Sequence, residues 1–321
     1  MNKLKFGVIG VGYLGRYHAE KYKAMDDVEL VGVADSHPGR AAEIGDSLQT
    51  RAFNDYHELL GMVDAVSIVV PTKGHFQVAM DCLEYGVDIL IEKPMTNTLE
   101  EADVIIAKAA ACNRIVQVGH IERFNPAVLA MEQYITKPVF IDAQRLHAFN
   151  PRGADVDVTL DLMIHDLDII LSIAGSPLKH IYAVGASVVT ETSDMANARL
   201  VFQNGCSANI TASRVSKTNT RKLRIFQPKS YISLDYGKKE IWVSNKLADY
   251  DAQGQPKDDT KLFTFGEQDA LTTELKAFVL NVRQRSRPKV SGKEGRLAIK
   301  VALQIIDQIK DYRTEYQELL S

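Results

Sequence analysis

The sequence predicts a doubly wound α/β domain followed by an α+β domain with a large, open, mostly antiparallel sheet. Up to about residue 120, short runs rich in Val and Ile alternate with amphipathic segments, which is typical of a parallel sheet with helices on both faces. After Pro126, strand-like segments follow one another, and Asn204-Gly205 gives a hairpin signal. A chain of 321 residues suits two cores. We therefore expect domains at 1–120 and 121–321.

The first domain is predicted from apolar runs that are nearly free of charge, as in strands covered on both faces. These runs are residues 6–9, 28–34, 65–70, 87–91 and 115–118. Between them, helical spacing occurs at residues 13–25, 40–48, 75–85 and 99–112. Because such strand–helix–strand units are joined by right-handed crossovers, the pattern predicts a parallel sheet.

The second domain is predicted from a different order of elements. Strand candidates are residues 139–147, 181–189, 199–203, 207–212, 223–226, 231–235 and 240–243. Helices are expected at 159–174, 269–285 and 292–319. The polar stretch 249–260 contains Gly254 and Pro256 and is expected to be a solvated loop.

The charge balance excludes a protein that attracts polyanions over its whole surface. Lys and Arg number 38 and Asp and Glu 41, so the net charge of -3 favours neither nucleic acid nor an anionic membrane. The three widely spaced cysteines have no metal-like spacing and fit reduced thiols. The apolar run near the N-terminus is too short for a signal peptide or a membrane span. We expect a cytoplasmic protein without a resident metal.

A Gly-x-Gly-x-x-Gly motif at Gly10, Gly12 and Gly15 lies between a strand-like run and a helical segment. In this context Gly10 allows a tight turn, Gly12 the approach of a pyrophosphate, and Gly15 close packing of helix on sheet. The helix begins at Tyr13 and Leu14, where unpaired N–H groups and the positive end of the dipole meet phosphates. The motif predicts a Rossmann-type dinucleotide site. The alternative is a glycine turn without a ligand.

Asp35 decides which dinucleotide we expect. It lies twenty residues beyond Gly15 at the end of the second strand, where it accepts hydrogen bonds from the ribose hydroxyls. Its charge repels a 2′-phosphate, so NAD is favoured over NADP. His37 and Arg40 lie nearby, and because a cation accommodates a phosphate, they leave NADP as the alternative.

Glu92-Lys93-Pro94 follows a strand-like run, at the carboxyl end where ligands bind in open α/β sheets. Pro94 lacks an N–H and restricts Lys93 to extended conformations, which fixes the direction of the lysine. The alternative is a surface lysine at the start of a loop.

Asp161, His165 and Asp168 have the spacing i, i+4 and i+7, so an α-helix would place them on one face. From the first turn of such a helix, Asp161 would orient and polarise His165. A structural hydrogen-bonded pair and an i, i+4 metal pair are the alternatives, although spacing marks no third ligand.

These motifs together resemble one family of oxidoreductases. In chain order they are the glycine motif with His18 downstream, Pro71-Thr72 followed by His75, Glu92-Lys93-Pro94, and Asp161-x-x-x-His165. The set resembles the glucose-fructose oxidoreductase / inositol dehydrogenase / MocA family from residue 5 to about residue 175.

The resemblance implies an NAD-dependent dehydrogenase that acts on a hydroxyl group. Lys93 and His165 would handle the proton of a sugar or cyclitol hydroxyl beside the nicotinamide, with Asp161 as their orienting group. The chemistry agrees, since oxidation of an alcohol requires a nearby base. The resemblance also implies a homodimer or homotetramer formed through the open face of the second sheet, and it places further residues near the cofactor: Pro71, Thr72, His75 and Glu92.

Arg123 and Asn125 lie at the expected domain junction, in Gly-His-Ile-Glu-Arg-Phe-Asn-Pro. With Asp155-Val-Asp-Val, this segment is similar to members of the family that oxidise C3 of UDP-N-acetylglucosamine. Both side chains are therefore candidates for binding a sugar or a diphosphate. The alternative is that Arg123 pairs with a neighbouring carboxylate and Asn125 caps the helix begun by Pro126.

Arg214 belongs to a basic, hydroxyl-rich stretch at 213–222 and is a further candidate for the diphosphate. A solvated loop or an oligomer contact is the alternative. We expect oxidation of C3 of a UDP-linked N-acetylhexosamine. A cyclitol or free-sugar dehydrogenase is one alternative, and a non-catalytic dinucleotide-binding regulator is another. The presence of both Lys93 and His165 argues against the regulator.

Overall fold

The structure, a computed structural model, describes residues 2–150, 156–250, 256–266 and 268–320. The chain divides into two compact units. The first unit comprises Met1–Ile121 and Asp269–Ile299, and the second comprises Glu122–Gln268 and Lys300–Ser321. Residues 269–299, which the sequence analysis assigned to the second domain, thus pack with the first unit.

Within the described residues, the first unit is built on a six-stranded parallel sheet with the order β3-β2-β1-β4-β5-β6. Its strands are β1 Leu4–Ile9, β2 Val28–Ala34, β3 Arg51–Phe53, β4 Ala65–Ile68, β5 Asp88–Glu92 and β6 Val116–Gly119. Its helices are α1 Tyr13–Lys23, α2 Pro38–Leu48, α3 His57–Leu60, α4 His75–Glu84, α5 Leu99–Ala111 and α8 Ala270–Gln284. The doubly wound parallel sheet is confirmed, and β3 and α3 add to the predicted elements.

Helix α8 belongs to the first unit because of its apolar stripe. Leu271, Leu275 and Phe278 are buried at i, i+4 and i+7 in the core that contains β1 and α1. The ring of Phe278 meets that of Phe6 edge to face, with centroids 5.7 Å apart. Just beyond α8, Arg285 forms an ion pair with the buried carboxylate of Asp88. These contacts complete the hydrophobic core of the first unit.

In the part of the second unit that the structure describes, eight strands form a sheet with the order β14-β13-β12-β11-β7-β10-β9-β8. Strands β7 and β10 pair in parallel and the other neighbours are antiparallel, as predicted for a mostly antiparallel sheet. The strands are β7 Phe140–Leu146, β8 Leu178–Ala186, β9 Met195–Phe202, β10 Ser207–Ser213, β11 Thr220–Gln227, β12 Ser230–Asp235, β13 Glu240–Tyr250 and β14 Pro256–Thr264. The helices of this unit are α6 Pro126–Met131 and α7 Ile164–Ala174, and α9 Gly292–Leu320 belongs to the first unit up to Ile299 and to the second from Lys300.

One expectation for this part of the chain was wrong, and a second holds with a change at its start. Residues 249–260 are not one solvated loop, because β13 and β14 pair across that stretch, while 251–255 lie outside the described residues. The predicted helix at 159–174 begins as a π-helical turn, Thr159–Met163, and becomes α-helical at Ile164. The wider π turn changes the faces that α-helical spacing predicts for its residues.

Among the described residues, no helix is both long and apolar enough to cross a membrane.

Candidate active site

The glycine turn of the first unit has the geometry that the motif predicts. Gly10 has a φ of +86°, and a Cβ there would lie 2.7 Å from the carbonyl oxygen of Val69. A Cβ on Gly15 would lie 1.8 Å from the carbonyl oxygen of Gly10, so α1 packs directly on the turn. A Cβ on Gly12, in contrast, would meet no atom of the described chain within 4 Å. The space over Gly12 is therefore open, while Gly10 and Gly15 are constrained by the fold.

Helix α1 begins just after this turn. Gly12 is its N-terminal capping residue in an extended conformation, and the first turn of the helix, described throughout, holds no acidic side chain. The first N–H groups of a helix have no intrahelical partner, and the helix dipole favours negative charge there. The Tyr13 side chain is exposed and meets the ring of Tyr17, whereas Leu14 is partly buried. This end of α1 can hold a pyrophosphate.

Asp35 follows the carboxyl end of β2, beside the glycine turn. Its Oδ2 accepts a hydrogen bond of 3.0 Å from the N–H of Val11, and its Oδ1 accepts one of 2.9 Å from the N–H of His37. The Arg40 guanidinium also donates to Oδ2, at 3.2 Å. Arg40 is thus an ion-pair partner of Asp35. Because of Arg40, NADP was kept as the alternative cofactor, and the carboxylate of Asp35 partly neutralises this cation.

His75, which the resemblance placed near the cofactor, is almost completely buried. Its Nδ1 lies 2.9 Å from the carbonyl oxygen of Pro94, and its Nε2 lies 2.9 Å from that of Val70. Burial lowers the pKa of His75, so the neutral ring carries one N–H and donates to one of the two carbonyls at a time. His75 therefore links the segments that follow β4 and β5.

Pro71 and Thr72 precede this histidine. Pro71 caps a short 3-10 turn, Thr72–Gly74, which leads into α4. Pro71 is exposed and Thr72 is partly exposed, next to the carboxyl end of β4. Neighbouring carboxyl ends of β1 and β4 mark the point where the strand order reverses, which is where dinucleotides bind in such sheets.

Glu92 and Lys93 lie at the carboxyl end of β5. The Glu92 carboxylate accepts a hydrogen bond of 3.2 Å from the N–H of Lys93, and its other oxygen is 3.3 Å from Nε2 of the fully buried His18. A Cβ on Gly119 would lie 2.7 Å from this carboxylate, so the glycine on β6 provides its space. Glu92 is thereby fixed, and the backbone of Lys93 is fixed with it.

The first unit therefore fits a dinucleotide. The open space over Gly12, the N-terminus of α1 and Asp35 at the end of β2 suit the pyrophosphate and the ribose. Lys93 is partly buried and follows β5, at the same carboxyl edge of the sheet.

In the second unit, Asp161 lies in the π-helical turn and His165 in the first turn of α7. Asp157 holds the start of this segment, because its carboxylate accepts hydrogen bonds from the N–H groups of Thr159 and Ser193. Asp155, in the pattern compared with UDP-sugar dehydrogenases, lies outside the described residues. The i, i+4 relation of Asp161 to His165 holds in the sequence, but it crosses the change from π to α geometry.

Asp161 lines a pocket of about 460 Å³ in the second unit. Polar and aromatic side chains surround it, which suits a hydroxyl-rich ligand: His147, Phe149, Asn150, Arg214 and Asn219. Burial, together with nearby Arg145 and Arg221, lowers the pKa of His147. The pocket therefore presents a carboxylate, a guanidinium and, at neutral pH, a neutral imidazole.

Arg214 reaches this pocket while bound to the protein. Its guanidinium donates to the carbonyl of Val156, and its Nε lies 3.8 Å from the buried carboxylate of Asp194. Asp194 in turn accepts three backbone N–H bonds from residues 188–190 and one bond from the Thr190 hydroxyl. Arg214 is thus held rigidly at the pocket.

Arg123 and Asn125 are both buried and have the structural partners that the alternative interpretation expected. Nη1 of Arg123 lies 3.6 Å from the Asp168 carboxylate. The Asn125 side chain accepts from the N–H of Ala127 and caps α6, and its Nδ2 donates to Glu122 at 3.2 Å.

Arg145 is a buried residue that the sequence analysis missed. Its guanidinium binds Asp166, the residue after His165, through two hydrogen bonds of 2.8 and 3.2 Å. A usable signal was present, since the period of two in β7 places Arg145 on the same face as Ile141 and Ala143. An arginine in an apolar row indicates a buried partner.

Over the residues that the structure describes, no three His, Cys, Asp or Glu side chains are grouped so as to hold a metal ion.

A doubly wound parallel sheet with a dinucleotide cradle at the carboxyl ends of its strands defines a Rossmann-type dinucleotide-binding protein. Comparison with known proteins agrees. Residues 4–120 match the GFO/IDH/MocA oxidoreductase family with its NAD-binding Rossmann fold, and residues 128–232 match the C-terminal domain of the same family. The chain belongs to the GFO/IDH/MocA family and uses NAD.

Individual relatives extend over nearly the whole chain. UDP-N-acetylglucosamine 3-dehydrogenase of Acidithiobacillus ferrooxidans is 41% identical over 307 residues, covering 95% of this chain and 97% of the relative. A solved structure of that enzyme matches with a TM-score of 0.92 at 39% identity, covering 97% of this chain and 99% of the other. Myo-inositol 2-dehydrogenase of Thermotoga maritima is 28% identical, covering 92% of this chain and 93% of the relative.

Proposed function

We propose that this enzyme oxidises the C3 hydroxyl of UDP-N-acetylglucosamine, or of a closely related UDP-linked N-acetylhexosamine, to the 3-keto sugar. The 41% identity to a UDP-N-acetylglucosamine 3-dehydrogenase, over almost the full length of both chains, carries the proposal. The polar pocket around Asp161 and Arg214 supports it, because a carboxylate, a guanidinium and an aromatic ring are groups that bind sugars.

We assign the roles in this reaction to the following residues. Lys93 and His165 exchange the proton of the reacting hydroxyl, and Asp161 orients and polarises the imidazole. Bound NAD⁺ supplies the hydride acceptor. In the first unit, we assign cofactor binding to the glycine turn with Tyr13 and Leu14, to Asp35 with its partner Arg40, and to the segments that contain Pro71, Thr72 and Glu92.

We assign substrate binding in the second unit to His165 and Arg214, with the Arg214 guanidinium at the pocket as the group that contacts a diphosphate. Arg123 and Asn125 then affect substrate binding through other residues, because their polar atoms bind Asp168, Glu122 and the start of α6.

The test is to mix the enzyme with NAD⁺ and UDP-N-acetylglucosamine and follow NADH by absorbance, with a re-oxidant present in case NADH stays bound. Lys93→Ala and His165→Ala should each reduce turnover by about 100-fold or more, while NAD affinity stays within about twofold. Lys108→Ala, at a partly exposed site, and His57→Ala, at an exposed site, are matched controls and should leave turnover unchanged. Failure of every UDP-sugar to react would refute the substrate, and unchanged turnover in both site variants would refute the roles.

Oxidation of a cyclitol is the second candidate, favoured by the match to myo-inositol 2-dehydrogenase. It is distinguished by turnover of myo-inositol in the absence of any nucleotide sugar.

We further propose that the enzyme is a cytoplasmic homodimer or homotetramer that associates through the outer face of the eight-stranded sheet. On the face opposite the core, Arg224, Ser233, Trp242 and Leu262 stand in register on four adjacent strands. Trp242 and Leu262 are each 46% exposed and pair across β13 and β14, so they form an apolar patch on this face. Light scattering should give a dimer or tetramer that Trp242→Lys weakens, and a monomeric wild-type protein would refute the proposal.

A further inference from the structure

Arg145, Asp166 and Glu122 form a buried ionic cluster in the second unit, with the ring of Tyr236 beside it. Arg145 projects from the inward face of β7 and is only 3% exposed. Its Nε and Nη2 donate to the two oxygens of Asp166 at 2.8 and 3.2 Å, and its Nη1 donates to Glu122 at 3.0 Å. Each of the three guanidinium nitrogens of Arg145 therefore donates to a carboxylate.

Neutral groups and one further cation surround the cluster, since the Arg221 guanidinium lies 3.9 Å from the Glu122 carboxylate. The Arg145 guanidinium lies over the ring of Tyr236, 5.1 Å from its centroid. Burial and the nearby Asp166 raise the pKa of Tyr236 well above its ordinary value, so the phenol stays neutral. Asn125 donates to Glu122 at 3.2 Å and to the carbonyl of Tyr236 at 3.5 Å. The cluster thus joins β7, α7, the end of β12 and the segment before α6.

A buried ion pair of this kind is poor evidence for added stability, because desolvation offsets most of the attraction. What it does supply is geometry, since the planar guanidinium and the carboxylate bind side by side in one orientation. Asp166 is the residue after His165 in the first turn of α7. Fixing Asp166 in distance and angle therefore fixes the rotation of the helix start that carries His165.

A second buried guanidinium acts on the same helix. Arg123 lies 3.6 Å from Asp168, so the two acidic residues closest to His165 on its C-terminal side each face an arginine from outside α7. The ion pair of Arg145 with Asp166 is shorter than that of Arg123 with Asp168 and contains two hydrogen bonds. It is also the pair next to His165 in the chain. Its geometry therefore has the more direct effect on the imidazole.

We propose that Arg145 is a positioning residue for His165: through its paired hydrogen bonds to Asp166 it sets the orientation of the imidazole for proton exchange, without touching substrate or cofactor. The proposal rests on the proposed role of His165. Lysine at this position keeps the charge but cannot form two parallel bonds, so the orientation should be lost while the charge is retained.

The test compares the wild-type enzyme with Arg145→Lys, Arg145→Met and Asp166→Asn. Arg296→Met is the control, because it removes a similar pair, to Asp103, on the surface of the first unit. For Arg145→Lys we expect kcat to fall by about 10–100-fold, the typical effect of a small misplacement of a reacting group, with NAD affinity within about twofold of wild type. If Arg145→Met fails to fold, Arg145→Lys and Asp166→Asn carry the test.

The primary isotope effect on kcat, measured with UDP-N-acetylglucosamine deuterated at C3, separates positioning from simple damage. Misplacement slows the chemical step, so the isotope effect should rise in the Arg145 variants. A smaller fraction of folded enzyme would lower the rate with an unchanged isotope effect, and that result would overturn the proposal. Unchanged kcat in Arg145→Lys would overturn it as well.

Hydrogen–deuterium exchange gives a readout that needs no substrate. Amides of residues 159–174 should exchange faster in Arg145→Lys than in the wild type and should be unaffected in Arg296→Met. Absence of turnover by the wild type would refute the proposed function alone, whereas unchanged exchange in this segment would refute the positioning role.

Discussion

Substitution of Gly12 and Gly15 by alanine separates the two uses of glycine in the dinucleotide turn. A Cβ on Gly15 would lie 1.8 Å from the carbonyl oxygen of Gly10, an overlap with backbone that only movement of α1 relieves. A Cβ on Gly12 would meet no described atom within 4 Å. The same added methyl group should therefore impair folding at position 15 and ligand binding at position 12.

The magnitudes follow from these distances. Overpacking costs about 1–3 kcal/mol, and an overlap with backbone belongs at the upper end, so Gly15→Ala should cost about 3 kcal/mol. At Gly12, φ is -65°, which alanine adopts freely. Alanine gains about 0.4–1 kcal/mol from a less flexible unfolded chain and loses a similar amount as a poorer helix cap. The stability of Gly12→Ala should thus stay within about 1 kcal/mol of the wild type.

Thermal unfolding and NAD titration by calorimetry measure the two effects. Gly15→Ala should lower the unfolding temperature of the first unit by roughly 6–12 °C, from about 2–4 °C per kcal/mol. Gly12→Ala should unfold near the wild-type temperature but bind NAD at least about tenfold more weakly, or 1.4 kcal/mol. Wild-type NAD affinity in Gly12→Ala would refute the assignment of the open space to the pyrophosphate.

Three further predictions address single side chains. Asp35→Ser removes the carboxylate that binds Arg40 and repels a 2′-phosphate. The ratio of kcat/KM for NADP to kcat/KM for NAD should therefore rise by about tenfold or more. An unchanged ratio would contradict the role of Asp35. His75→Ala removes a buried ring that is hydrogen-bonded to the segments after β4 and β5, and it should lower the free energy of unfolding by about 2–3 kcal/mol. An unchanged melting temperature would contradict this link between the two segments. Hydrogen bonds from residues 188–190 hold the pKa of Asp194 well below its ordinary value, so its stabilising contribution is full above about pH 5 and is lost as the pH falls. Asp194→Asn should therefore melt below the wild type at pH 7, by a margin that narrows as the pH falls below about 4, and a margin independent of pH would contradict the linkage.

The elements that the sequence predicted well are those with a strong period or an apolar run. Buried parallel strands such as β5 have an apolar centre, here Ile89 to Ile91, and the glycine motif marks the start of α1. Strand β3 was missed because it has three residues, none of them fully buried. Strand β14 was missed because its sequence, PKDDTKLFT, is mostly polar and lies at the edge of the sheet.

Periodicity predicts which face of a helix is buried but not what covers it. The stripe of α8 predicted a helix at 269–285 correctly, yet its partners on β1 and α1 are more than 240 residues away in the chain. The π-helical turn at Thr159–Met163 has no equivalent signal, since its residues suit an α-helix equally well.

For the candidate site, motifs identified residues, and the structure supplied their partners. His75 and Glu92 carry polar groups that the sequence suggests for a ligand, but buried carbonyls bind the first and His18 lies beside the second. The Arg145 pair with Asp166 escaped prediction because the two residues are 21 positions apart on different elements. Only the alternation within β7 pointed to it.

The placement of α8 has a consequence for synthesis of the protein on the ribosome. The first unit lacks Leu271, Leu275 and Phe278 until about 150 residues after Ile121 have been added. At about 5–20 residues per second, this leaves the apolar surface around Phe6 and Tyr22 without its helix for roughly 7–30 s. During that interval the nascent NAD-binding unit is a client for chaperones, and a fragment ending at residue 120 would keep that exposed surface permanently.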